Sequence, residues 1–248
     1  MTSAEIGWLA LILFLAPALQ AAVGFGAGLF AIPALVWGGM TLPQATGAAL
    51  MSVLVQSSLN CYHAREQLPW RETMPIFFWR ALSLPAGVMI MAYIASFDLT
   101  IGRQVIGWCL LVSLGMQLLI RPTPRESVHP GWTAVAGICS GLLAGGVGIG
   151  GPPACLWVLA HDWPPLKQRS CLWLMFLLLL PLHTGLLIFK FGSPLVAALL
   201  AALAVSPVAL LGSYVGATIG HRLNRRQLTI AMLTLIFLIA VRSIVAPN

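Results

Sequence analysis

The sequence predicts an all-α membrane protein made of two inverted repeats, each a glycine-broken helical hairpin plus three transmembrane helices. Three observations point there. The composition is apolar and nearly free of charge, glycine-rich breaks recur at matching places in the two halves, and the loop cations gather on one side.

Of 248 residues, 59% are hydrophobic and 8% charged, with a mean hydropathy of +0.94. Soluble domains carry roughly 25% charged residues, so this chain cannot cover a core of its length with a water-facing shell. The net charge of +7 does not read as a nucleic-acid footprint. Its Lys and Arg residues lie in short loops between apolar runs, as the positive-inside rule requires. The first apolar run is preceded by Glu5 and no cation, unlike a cleaved signal peptide, and reads as the first membrane segment.

Apolar segments fall at 6–22, 29–38, 43–62, 73–95 and 101–120, then at 131–145, 152–160, 165–189, 194–220 and 227–246. These make eight to ten hydrophobic segments, according to whether the short pieces are counted. Runs of about 20 residues span a bilayer as helices. The pieces 29–38 and 152–160 rise only about 15 Å and are expected to be half-helices. Each follows a glycine run, Gly24-Phe25-Gly26-Ala27-Gly28 in the first half and Gly146-Val147-Gly148-Ile149-Gly150-Gly151-Pro152-Pro153 in the second. Glycine weakens a helix, and proline is welcome in a first turn, so each run reads as one helix ending and another beginning.

The halves align without a gap at an offset of 122, which places Gly24, Gly26 and Gly28 on Gly146, Gly148 and Gly150. Pro43 then falls on Pro165, Pro85 on Pro207 and Arg103 on Arg225. Duplication explains this register, giving repeats 1–125 and 126–248 within one integrated membrane domain.

Loop charge sets the direction of the repeats. If each glycine run crosses the membrane once, the cations divide almost evenly between the two sides. If each run is instead the tip of a hairpin that enters and leaves on one side, the second half is inverted. Arg65, Arg71, Arg121, Arg125, Lys167, Arg169, Arg222, Arg225 and Arg226 then share one side, against Arg103, Lys190 and Arg242 on the other. That imbalance selects the inverted arrangement, with both termini outside the cytoplasm.

Broken backbone at membrane depth is tolerated only where protein buries it or it lines a wet cavity. The short helices starting near Leu29 and Pro152 present unpaired amides and the positive end of a helix dipole. Two such ends converging near the midplane form an anion site without any lysine.

The residues Gly24-Phe25-Gly26-Ala27-Gly28 with Ile32-Pro33-Ala34-Leu35, and the run Gly146–Pro153, resemble the sulfite exporter TauE/SafE family, also called the toluene-sulfonate uptake permease family. The likeness covers nearly the whole chain, including the basic loop Tyr62-His63-Ala64-Arg65. One departure is that Gly151 runs straight into two prolines, where many members place apolar residues first. The resemblance implies transport of sulfite, sulfonates such as sulfoacetate, or related sulfur anions across the bacterial inner membrane; alternating access is expected from one repeat moving against the other around the hairpins.

Polar residues inside apolar spans are candidates to complete the site. Gln20 lies one turn before Gly24, Gln56 and Asn60 share a face at i, i+4 beside Ser57, and Ser140 precedes the second run. The substrate-binding set is therefore Gln20, Gly24, Phe25, Gly26, Gly28, Gln56, Asn60, Ser140, Gly146, Gly148, Gly150, Gly151 and Pro152. Hydrogen bonding between helices is the competing reading for each polar side chain. His183, deep in the 165–189 span, is a candidate for proton coupling or equally a neutral structural histidine. Arg80, some seven residues into its span, could pair with an anion, but is expected instead to snorkel to the basic side.

Other chemistries find little support. Cys61, Cys109, Cys139, Cys155 and Cys171 lie in apolar stretches without a Cys-x-x-Cys pair, and read as small buried hydrophobes. No metal and no cofactor is expected. An intramembrane enzyme would need a nucleophile with its base, or paired acids, and the spans hold no such motif. A cation pathway would need acidic residues in the spans. The expected partners are the lipid bilayer and a small anionic substrate, with coupling to protons or to sodium. An anion channel, or a carrier of a non-sulfur organic anion, fits the same residues.

Overall fold

A computed structural model describes residues 3–23, 26–120, 122–222 and 225–245. Their regular structure is helical: α1 (Ser3–Val23), α2 (Ala27–Trp37), α3 (Leu42–His63), α4 (Trp70–Ile94), α5 (Leu99–Leu119), α6 (Pro130–Val147), α7 (Gly151–Leu159), α8 (Pro165–Phe191), α9 (Ser193–Arg222) and α10 (Arg225–Val245). A short 3-10 turn, Arg65–Gln67, joins α3 to α4. Among the described residues, six helices are long and apolar enough to cross a membrane: α1, α4, α5, α6, α8 and α9. The two glycine-bounded helices are the short ones expected, 11 and 9 residues, or about 16 and 14 Å.

Each short helix folds back along the helix before it. The Trp8 indole donates to the Ala34 carbonyl at 3.0 Å, which ties the start of α1 to the end of α2. The Trp157 indole donates to Thr133 Oγ1 at 2.9 Å and ties α6 to α7 in the same way. Both pairs are therefore hairpins with the glycine runs at their tips. The turn at each tip uses a left-handed glycine, Gly26 at φ 96° and Gly148 at φ 74°, and these are the residues that the offset of 122 pairs. A side chain in that region costs about 1–2 kcal/mol.

Two further contacts fix the hairpins in the bundle. α6 lies along α4 through Gly137, Gly141 and Gly145; a Cβ on Gly145 would stand 2.6 Å from the Leu84 carbonyl. α1 lies along α9, where Gly212, Gly216 and Gly220 meet the backbone of Phe14, Ala18 and Ala22. Residue numbers rise together along both pairs, so each hairpin's long arm runs parallel to its supporting helix. Glycine at every fourth position lets backbones approach where no hydrophobic effect drives association.

Proline interrupts several spans, and the lost bond is repaired locally. Pro207 in α9 leaves the Leu203 carbonyl without its amide, and Ser206 Oγ donates to it instead.

The described cations separate by end. Lys167 pairs with Glu72, Arg125 exchanges backbone hydrogen bonds with Ala160 and Asp162, and Arg65 shares a hollow with Leu166 of α8. At the opposite end, Arg103 reaches the Val36 carbonyl, Arg242 stacks over Trp37 and Lys190 lies near Asp98. Gly107 of α5 packs on Ala240 and Ile244 of α10, so the start of one helix lies against the end of the other. The first hairpin opens toward the Arg103 end, and the second toward the Lys167 end. Arg121 lies outside the described residues.

Candidate functional site: a cavity between two hairpin tips

The tips meet inside the bundle. A Cβ on Gly28 would stand 3.8 Å from the Gly148 carbonyl, so the start of α2 touches the turn of the second hairpin. Beside this contact is a cavity of about 140 Å³. At about 30 Å³ per water in the liquid, that is room for a few waters or one small oxyanion.

Nine of the residues singled out from sequence line this cavity: Gln20, Gly26, Gly28, Gln56, Gly148, Gly150, Gly151, Pro152 and His183. Of the other five, the three among the described residues do not line it. Asn60, one turn beyond Gln56, lines a separate hollow at the Arg65 end. The Ser140 hydroxyl donates to the Gly150 carbonyl, so it holds the second tip closed and has no proton left for a ligand. Gly146 is buried against Gly87 and Ile90 of α4, where its smallness serves packing. Gly24 and Phe25 lie outside the described residues.

The two helix starts differ in what they can donate. The first three amides of a helix have no partner within it. In α2 these belong to Ala27, Gly28 and Leu29. In α7 they belong to Gly151, Pro152 and Pro153, and proline has no N–H, which leaves Gly151 alone. Sequence reasoning treated both joins as equal sources of free amides; the proline pair makes the second a poor one.

Arg80 supplies what that tip lacks, and here the sequence expectation is overturned. Arg80 does not snorkel: it is 1% exposed and its side chain lines the cavity. The reason is packing. Gly137 and Gly141 of α6 press directly on the Arg80 backbone, and Phe176 of α8 lies under its guanidinium at 5.0 Å, so no lipid-facing route to the surface remains. Its Nε and Nη1 are buried without a hydrogen-bond partner. The chain's six acidic residues, Glu5, Glu66, Glu72, Asp98, Glu126 and Asp162, all lie at helix ends or in loops, and Glu72 is taken by Lys167. The protein thus supplies no counter-charge to Arg80, and a buried unpaired charge is strongly unfavourable.

The wall also holds residues that the sequence does not mark for this site, among them Gln117, Cys155, Arg169, Trp173 and Phe176. Arg169 lies one turn before Trp173 on α8 and lines the cavity. The signal for Arg80 was present, since an ionisable group inside a span marks a functional site by default. Gln56 bridges to Ser213 Oγ of α9 at 2.9 Å, and His183 Nε2 is buried without a partner.

The sequence profile of the family described as Sulfite exporter TauE/SafE matches residues 9–243, nearly the whole chain. A protein of Cupriavidus necator named "Probable sulfite/organosulfonate exporter TauE" is 27% identical over 161 residues, which is 63% of this chain and 62% of that protein. No solved structure matches. The chain belongs to the sulfite exporter TauE/SafE family.

Proposed function

From that membership we propose that this protein is a secondary transporter of small sulfur oxyanions, sulfite or organosulfonates such as sulfoacetate, across the bacterial inner membrane. The observation that carries this reading is the buried guanidinium of Arg80, unpaired beside two converging helix starts. An oxyanion there gains charge-assisted hydrogen bonds from Arg80 and backbone amides from α2, each worth about 1.5–3 kcal/mol. The name of the Cupriavidus relative supports the sulfur chemistry.

Alternating access follows from inverted repeats moving around a fixed site. Hairpins opening toward opposite ends, and α5 running against α10, support that relation between the halves. The end carrying Arg65, Arg125, Lys167 and Arg169 is then cytoplasmic, and both termini face the other side. His183 shares the cavity with Arg80 and is the group to carry a coupling proton.

Thermal unfolding of the purified protein tests the site. Sulfite, thiosulfate, taurine and sulfoacetate are compared with sulfate and with non-sulfur carboxylic acids. A bound anion at about 100 times its Kd stabilises by about 2.7 kcal/mol, and Arg80→Gln should erase the shift. No shift with any anion overturns the site, and a shift with carboxylic acids alone overturns the sulfur assignment.

A further inference from the structure

The cavity is closed differently toward the two ends of the bundle. Toward the end that carries Lys167, a second hollow opens at the surface, lined by Asn60, Arg65 and Leu166 among others. Trp173 lines both this vestibule and the central cavity. The hollows at the opposite end share no lining residue with the cavity. There the closure is thick: Leu42, Ala45, Ala48 and Met51 of α3 are buried in the main hydrophobic core with Leu195 and Leu199 of α9.

The residues along this route are arranged as a path. On α8, Leu166, Arg169, Trp173, Phe176, Leu180 and His183 follow one another at three- and four-residue steps, the spacing of one helix face. Leu166 lines the vestibule, Trp173 lines both hollows, and Arg169, Phe176, Leu180 and His183 line the central cavity. On the facing helix α3, Gln56 lies in the cavity and Asn60, one turn on, in the vestibule. The polar pair that sequence reasoning placed in one site therefore straddles the Trp173 partition.

We propose that Trp173 is the gate on the basic side, a single side chain between α3 and α8 that an anion must displace to pass between Arg80 and the vestibule. The inference rests on the anion-carrier reading for its cargo, but its geometry can be tested without transport. Trp173 is half-buried and lines both hollows, so a rotamer change of this one side chain would connect them. The opposite side would need helices of the packed core to separate, which takes a rearrangement of the repeats.

Cys155 lines the cavity and gives a native reporter. Membrane vesicles of both orientations are treated with a membrane-impermeant, negatively charged methanethiosulfonate, and labelling is read from the mass of the peptide containing Cys155. Wild-type protein should label from the basic face and not from the other, a result that needs no variant. Trp173→Ala should speed basic-face labelling at least about tenfold, the effect of a barrier lowered by about 1.4 kcal/mol, and Trp173→Phe should stay near wild type. Equal labelling of wild type from both faces, or an unchanged rate in Trp173→Ala, overturns the gate. Faster labelling from the basic face that sulfoacetate, which does not react with the reagent, fails to slow upholds the gate and counts against the anion site.

Discussion

The two hairpins share a frame and divide its chemistry unequally. Both turn on a left-handed glycine, Gly26 and Gly148, and both are stapled by an indole near the open end, Trp8 and Trp157. The close approach to the supporting helix is met from opposite partners. α9 brings the glycines to α1, whereas α6 brings its own to α4. Because α6 carries the small residues, α4 is free to place a large one at the contact, and that residue is Arg80. Its counterpart at the offset of 122 is Ala202 on α9. The first helix start thus offers three amides from its own residues and the second offers one, while Arg80, from the helix that supports the second hairpin, lines the cavity that both tips share. Two hairpins can share a backbone plan while the charge is supplied once.

The comparison breaks most severely at the tips themselves. Gly26→Val and Gly150→Val should each abolish transport in reconstituted vesicles while the protein still inserts. In the first, φ 96° is closed to a branched side chain; in the second, the new Cβ would stand 2.6 Å from the Ser140 carbonyl. Normal transport in both variants would sink the two-tip site. Arg80→Gln comes next. Losing one partner of a buried ion pair costs about 3–5 kcal/mol, so uptake should fall by roughly a hundredfold to several thousandfold. Ala202→Gln, its counterpart, should leave uptake far less affected; equal losses would mean that the charge is not what distinguishes the halves.

Smaller effects sharpen the same contrast. Ser140 latches the second tip through the Gly150 carbonyl, and its counterpart in the first hairpin is Ala18. Ser140→Ala should lower stability by about 1 kcal/mol in thermal unfolding, without changing which anions bind. The smallest effect on fold is expected from His183→Gln. If His183 carries the coupling proton, the variant transports with a flattened pH dependence at near wild-type stability. A pH profile identical to wild type removes it from the mechanism.

Much of this organisation was legible in the sequence, and the exceptions have physical causes. The hairpin tips were readable because glycine and proline act on their own backbone, so Gly26 and Gly148 announce a turn whatever surrounds them. Gln20, Gln56 and His183 were readable because a polar group deep in an apolar span needs a wet or polar neighbour. Asn60 and Ser140 satisfied the same rule and went elsewhere, one to the vestibule and one to a carbonyl of its own hairpin. Nothing within one helix distinguishes these outcomes.

The sequence by itself determined that the chain is helical, lies in a membrane and is broken twice by glycine. Each of these follows from the local behaviour of residue types toward water, lipid and backbone geometry. Only the tertiary structure decided that Arg80 turns inward, that the proline pair starves α7 of amides beside it, and that Trp173 stands between two hollows. A lysine-length side chain one or two turns inside a span reaches either the surface or a neighbouring helix, and the choice belongs to the neighbour. Here the neighbour is the glycine face of α6, pressed so closely on α4 that the guanidinium has nowhere to go but the cavity.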